Sequence, residues 1–227
     1  MIGARDWVEG ASVDDAIPER WPDSRVWLVA ADEIDEHLVA RTVEELFAAA
    51  AAVRVDAADA HVLQWQQAFR NFGVKPRVAR SSVDALLRRI GSERGLPRIG
   101  PMVDLYNAVS VLHRVPIGGE DLDQYEGFPR LLLASGDEPF PTTDHGDTIV
   151  EHPDPGEPVW ADDEGVTCRR WNWRQTTRTA IGPTTRRIGF IIDSLDAPGH
   201  DGARAAADRL ASFLPNAHRR VIGDDHR

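Results

Sequence analysis

The chain has 227 residues, 42% of them apolar and 28% charged, with a net charge of −11 and a single cysteine, Cys168. A chain this long buries roughly 70% of its unfolded surface in one domain and needs no disulfide or metal staple. One thiol excludes a disulfide framework and a four-cysteine zinc site. No apolar run approaches the roughly 18 to 20 residues of a membrane span. Residues 1–9 lack the basic and apolar regions of a secretory leader, so the expectation is a cytoplasmic protein that engages no membrane.

Along the chain, Arg25–Ala31 (RVWLVAA) reads as a short strand and Asp35–Arg54 as a long alanine-rich helix. Leu63–Phe72 continues helically and stops at Gly73. Ser81 and Ser82 offer caps for a helix running to about Arg94. Gly100-Pro101 opens the next helix, to about His113. Arg130–Ala134, Pro158–Ala161, Val166–Trp173 and Arg187–Leu195 read as strands, and Asp144–Pro158 between them as a mobile acidic loop. Asp201–Leu214 is a last helix, with Arg219–Ile222 as a short edge strand. Helices gather in the first half and strands in the second, which predicts an α+β fold.

The net charge hides a segregation. Residues 67–98 carry a net +6 and residues 169–187 another +6, whereas 135–165 carry −10 and 1–63 carry −9. A two-signed chain of this kind can present a basic face to a polyanion, or can simply scatter its charges over solvated surface.

Two segments hold candidate chemistry. At 100° per residue, Met102, Leu105, Ala108, Val109 and Leu112 form one stripe of the helix over 101–113. Asn107 and Ser110 lie on the other side, as solvated surface or as the lining of a pocket. The segment Cys168–Gln175 (CRRWNWRQ) packs three arginines, two tryptophans, an Asn and a Gln into eight residues. As a strand it would point Arg170, Asn172 and Arg174 one way and Trp171 and Trp173 the other. Arginines pair phosphates or carboxylates and tryptophan faces stack bases; alternatively both rings are core and the polar groups are solvated. No phosphate-binding glycine loop, nucleophile elbow or helical metal-ligand pair is present, so no cofactor or metal is expected.

The stretch Leu96–Gly127, LPRIGPMVDLYNAVSVLHRVPIGGEDLDQYEG, resembles the B3/B4 domain of the bacterial phenylalanyl-tRNA synthetase beta subunit, which reads approximately NPLVDITNYVLLELGHPLHAFDLDKLEG there. The shared skeleton is Pro101, Val103, Asp104, Asn107, Val109, Pro116, Asp121, Leu122, Asp123 and Gly127. AFRNFGVKP, RSSVDALLRRI, CRRWNWRQ and FIIDSL are similar to stand-alone B3/B4 proteins, and the likeness covers about Gln64–Ala197. The resemblance implies a layered sandwich of mostly antiparallel strands with helices on one side, in three ββα layers. In that reading residues 1–60 are an α/β extension of the same globule, 61–200 the B3/B4-like domain and 201–227 a helical cap.

The function that the resemblance implies is binding the acceptor end of tRNA, not DNA, and hydrolysing a wrongly attached amino acid in trans. The missing ATP motif fits, because hydrolysis needs none. Asn107, Ser110, Glu120 and Asp193 are the expected catalytic group, with Asp193 near the acidic residue that ends the family's "FLE" strand. Arg98, Arg170, Trp171, Asn172, Trp173, Arg174 and Gln175 would hold the substrate, and Lys75, Arg77, Arg80 and Arg88 the RNA backbone. Two departures stand out. Gly118 occupies the family's editing histidine position, and Arg169–Arg174 replaces its "GIMGG" run. A non-catalytic tRNA-binding module and a pocket for a free amino acid or small amide are therefore the rival expectations.

Overall fold

The computed structural model describes residues 2–54, 59–75 and 77–223. Its helices are α1 (Ala4–Glu9), α2 (Ala16–Arg20), α3 (Glu36–Ala51), α4 (Ala60–Asn71), α5 (Ser82–Ile90), α6 (Pro101–His113) and α7 (Ala197–Ala211). Several start on a side-chain cap. Asp35 accepts from Leu38 N, Asp59 from Val62 N and Ser81 from Asp84 N, each satisfying an amide that the first turn leaves without a partner. Helix α5 ends at Ile90, four residues earlier than the sequence suggests. The Gly91 amide closes the last turn there, and the Arg89 side chain folds onto the Gly95 carbonyl.

The strands are β1 (Ser12–Val13), β2 (Arg25–Ala31), β3 (Ile117–Asp121), β4 (Arg130–Leu133), β5 (Phe140–Asp144), β6 (Asp147–Glu151), β7 (Pro158–Ala161), β8 (Val166–Arg169), β9 (Arg174–Gln175), β10 (Ile188–Ser194) and β11 (His218–Ile222). One sheet has the order β11-β2-β10-β3 and a second the order β1-β4-β7-β8-β9. All pairings are antiparallel except β1 with β4. The fold is α+β. The expected acidic loop is a correction: most of it belongs to the β5–β6 hairpin, Phe140 opposite Glu151.

Antiparallel partners share a face, and successive residues alternate between faces. On one face of the first sheet lie Phe190 and Ser194, touching Tyr106 of α6 and His200 of α7 respectively. The opposite face carries Gly118 and Glu120 of β3 with Gly189, Ile191 and Asp193 of β10, and looks toward the second sheet. Gly189 admits the Trp7 ring of α1, which would come within 2.7 Å of any added Cβ. The first sheet is thus the middle layer, its central strands β2 and β10 buried on both faces. Strands β2 and β11, from opposite ends of the chain, lie side by side in it, so both ends are built into one core.

Candidate functional site

Between the sheets, beside α6, lies a cavity of about 160 Å³. Ser82, Tyr106, Asn107, Gly118, Glu120 and Asp193 line it from α5, α6, β3 and β10. Trp160, Cys168 and the run Trp171–Gln175 line it from the second sheet. The α6 helix and the Arg-Trp segment, both singled out from the sequence, therefore face each other.

The segment reaches the cavity as a turn, which corrects the expected strand over Val166–Trp173. Strand β8 stops at Arg169, and Arg170 and Trp171 take left-handed φ values of 49° and 66°. Such backbone is unfavourable for bulky side chains and persists only where its surroundings enforce it. Here the Arg170 amide donates to Glu157 Oε1 at 3.0 Å, Trp171 N to Pro158 O at 2.6 Å and Trp173 N to Arg169 O at 3.1 Å. The Arg169 guanidinium grips the same Glu157 through Nε and Nη2 at 3.0 and 2.9 Å, both residues being buried. A strand's alternation of sides accordingly does not apply. Trp171 is core, its ring edge-to-face with Trp21 and Trp65 at 5.0 and 5.2 Å, and its faces are not open to stack a base.

The two carboxylates are the chemically distinctive groups. Asp193 is 2% exposed, and its Oδ2 accepts from Asn172 Nδ2 at 3.4 Å. Burial pushes its carboxyl up to about 7; Asn172 and the nearby indole N–H groups of Trp171 and Trp160 draw it the other way, but only Asn172 reaches hydrogen-bond geometry. Glu120 is 1% exposed, with Oε2 accepting from Gln175 Nε2 at 2.8 Å. Burial pushes it up to about 8, partly offset by Thr179 and Gln175. Burial also holds the Cys168 thiol well above its ordinary value, so it is no thiolate nucleophile near neutrality. Around these groups, Ser82 Oγ, Trp160 Nε1, Trp171 Nε1, Asn172 Oδ1 and Asp193 Oδ1 are buried with no hydrogen-bond partner in the chain. Each unmade bond of this kind costs about 1–3 kcal/mol, so five lining one cavity is a concentration that asks for a polar guest.

Other expected site residues lie elsewhere or are engaged. Ser110 is buried, its Oγ donating to the Val115 carbonyl at 2.5 Å, so the polar side of α6 reaches the cavity through Asn107 alone. Arg98 forks onto Glu44 at 2.7 and 2.8 Å and stacks on Phe47, outside the cavity lining. Arg170 and Arg174 sit beside the Trp173 ring, 4.3 and 5.8 Å from its centroid, and pair with Glu157 and Glu151 respectively. Lys75, Arg77 and Arg88 are exposed and Arg80 is half-buried; none lines the cavity. Arg88 pairs with Asp84 at 2.8 Å. The sequence reading missed Ser82, Tyr106, Trp160 and Ile191, which carry no local signature and arrive by tertiary packing. Gly118 stands in open space, where an added Cβ would meet no atom within 4 Å.

A larger groove of about 600 Å³ runs between α3, residues 99–103 and residues 181–186, but is lined by mostly apolar groups, none of them an unpartnered buried polar atom. Among the described residues no cluster of His, Cys, Asp and Glu could hold a metal, and no helix is long and apolar enough to cross a membrane.

Among solved structures, the chain is similar to an N-terminal fragment of the phenylalanyl-tRNA synthetase beta subunit from Pyrococcus horikoshii, at 11% identity and a TM-score of 0.42, over 92% of this chain and 50% of that one. The chain therefore spans about half the length of that structure. No curated protein matches it. The family model of the B3/4 domain matches residues 64–199, more than half of the chain and all of the segments that wall the cavity, and the protein belongs to that family.

Proposed function

We propose that this protein binds the acceptor end of tRNA and hydrolyses the ester of a misattached amino acid, acting in trans. The observation that carries the reading is the convergence, in one cavity, of five unpartnered buried polar atoms and two carboxyls whose titration lies near neutrality. A group titrating near the working pH is suited to proton transfer, worth about 10² to 10⁴ in rate. Water attacks the ester carbonyl, its proton passing to the Asp193 carboxylate. In this reading the Asn107 amide, which lines the cavity, donates to the developing oxyanion, where one donor is worth about 10² to 10³ in rate. The tetrahedral intermediate collapses as the carbon–oxygen bond to the ribose breaks, the leaving oxygen taking the proton back from Asp193 and departing as a hydroxyl. Glu120 faces the α-ammonium. The family membership and the sequence resemblance supply the ester; the basic segment 75–80 leads within two residues to Ser82 of the cavity and suits a phosphate backbone.

The test is to incubate the purified chain with a panel of mischarged tRNAs. We expect release of the amino acid from at least one, abolished by Asp193→Asn while RNA binding is retained. Loss of ester from none of the panel would overturn the reading. A second reading, a non-catalytic tRNA-binding module, is favoured by Gly118, because among the described residues no histidine lines the cavity. It predicts the same salt-dependent RNA binding without turnover.

A further inference from the structure

We infer that the amino acid taken by this cavity has a small side chain, the size of alanine or serine, and that aromatic side chains are excluded. The inference rests on the proposed reading for the ligand being an aminoacylated adenosine, and adds the class of amino acid.

The argument is one of volume and rigidity. An enclosed space of about 150 Å³ takes one benzene, so roughly six heavy atoms is the measure for such a cavity. The cavity here is about 160 Å³ and opens to solvent on one side, the side that the adenosine would occupy, so that same measure applies to what lies beneath it. The invariant part of an aminoacyl group, its α-nitrogen, α-carbon and carbonyl, uses about four of those atoms. That leaves about two for the side chain, enough for alanine or serine and far short of the seven of phenylalanine or eight of tyrosine. The adenosine, larger than the cavity itself, must lie outside it.

The walls do not yield readily. Trp160 and Trp171 are each 1% exposed, and Trp171 is wedged against Trp21 and Trp65. Tyr106 packs on Phe190 at 5.8 Å, and Glu120 is held by Gln175. Close-packed interiors transmit a push rather than absorb it, so a benzyl group would have to displace several buried rings at once. The slack that exists is above Gly118, and a side chain placed there would consume the room a substrate needs.

The experiment measures binding and hydrolysis separately. Non-hydrolysable 3′-amide analogues of alanyl-, seryl- and phenylalanyl-adenosine are titrated into the intact protein by calorimetry, and tRNAs carrying the same three amino acids are assayed for ester loss. The expected result is at least tenfold tighter binding of the alanyl and seryl analogues than of the phenylalanyl one. Gly118→Val is expected to weaken the seryl analogue by about tenfold; Gly118→Ala, which adds one methyl, serves if the valine variant does not fold. Equal or tighter binding of the phenylalanyl analogue, or binding of none, overturns the size class. The hydrolysis arm decides the enzymatic reading alone: size-ordered binding without ester loss keeps the class and removes the deacylase. Equal hydrolysis of all three esters with equal binding does the reverse.

Discussion

Asn172 and Asp193 meet across the space between the two sheets, amide Nδ2 to carboxylate Oδ2 at 3.4 Å, and the Oδ1 of each is left without a partner. Asn172 stands on a turn that left-handed backbone makes possible, and Asp193 near the end of a strand buried on both faces. The pair is the point at which the strained turn and the central sheet are coupled.

Asp193 makes stability fall as pH rises. Its carboxyl titrates at about 7 in the fold against 3.8 in the ordinary state, so between those values the folded chain holds the proton more tightly. The contribution is fully present below about 4 and is lost as pH rises through about 7, on the order of 4 kcal/mol at most. Urea midpoints of Asp193→Asn should fall less steeply with rising pH, the slope that remains being that of Glu120, and above pH 7 should equal or exceed those of the native chain. A native-like slope in the variant would place the linkage on Glu120 instead.

His61 works in the opposite sense. It is buried, Nδ1 donating to the Arg114 carbonyl at 2.9 Å while Nε2 accepts from Trp65 Nε1 at 3.1 Å and Leu195 N at 3.3 Å. Burial lowers its affinity for a second proton, which only the unfolded chain takes up readily. Stability should therefore fall as pH drops through about 6.5, the unfolded value. His61→Ala strands two donors and should cost about 3 kcal/mol near pH 7.5, with a shallower acid limb in chemical denaturation.

Glu157 holds the arginine turn in place. Buried charge pairs lose about 3–5 kcal/mol when one partner is removed. Glu157→Gln should lower the melting temperature accordingly, with loss of near-ultraviolet dichroism from Trp171 and Trp173, which the turn positions. A variant as stable as the native chain would show that Glu151, 2.8 Å from Arg169, suffices as its counter-ion.

RNA binding should be electrostatic and local. Replacing Lys75 or Arg77 with alanine should reduce the slope of log affinity against log salt by about one each, without base preference. Arg88→Ala should change it less, because that guanidinium already has Asp84. Filter-binding isotherms at several salt concentrations measure all three. Unchanged slopes for Lys75 and Arg77 would move the RNA face off this segment.

The helices over 36–51, 60–71, 82–90 and 101–113 and the strands over 25–31 and 188–194 were legible from the sequence because their causes are local: caps at Asp35 and Ser81, Gly100-Pro101, and runs of apolar residues. So was the juxtaposition of Asn107 with the Trp171–Gln175 segment, through the family resemblance. The fate of individual side chains was decided by what the fold brought opposite them. The Gln175 amide finds Glu120 across 55 positions of chain, Arg169 finds Glu157 in the irregular stretch between β6 and β7, and Ser110 turns inward to a carbonyl five residues on. Alternation along a strand predicts direction only while the strand continues; a carboxylate buried beneath Arg169 ended it, and no local pattern encodes a partner twelve residues away.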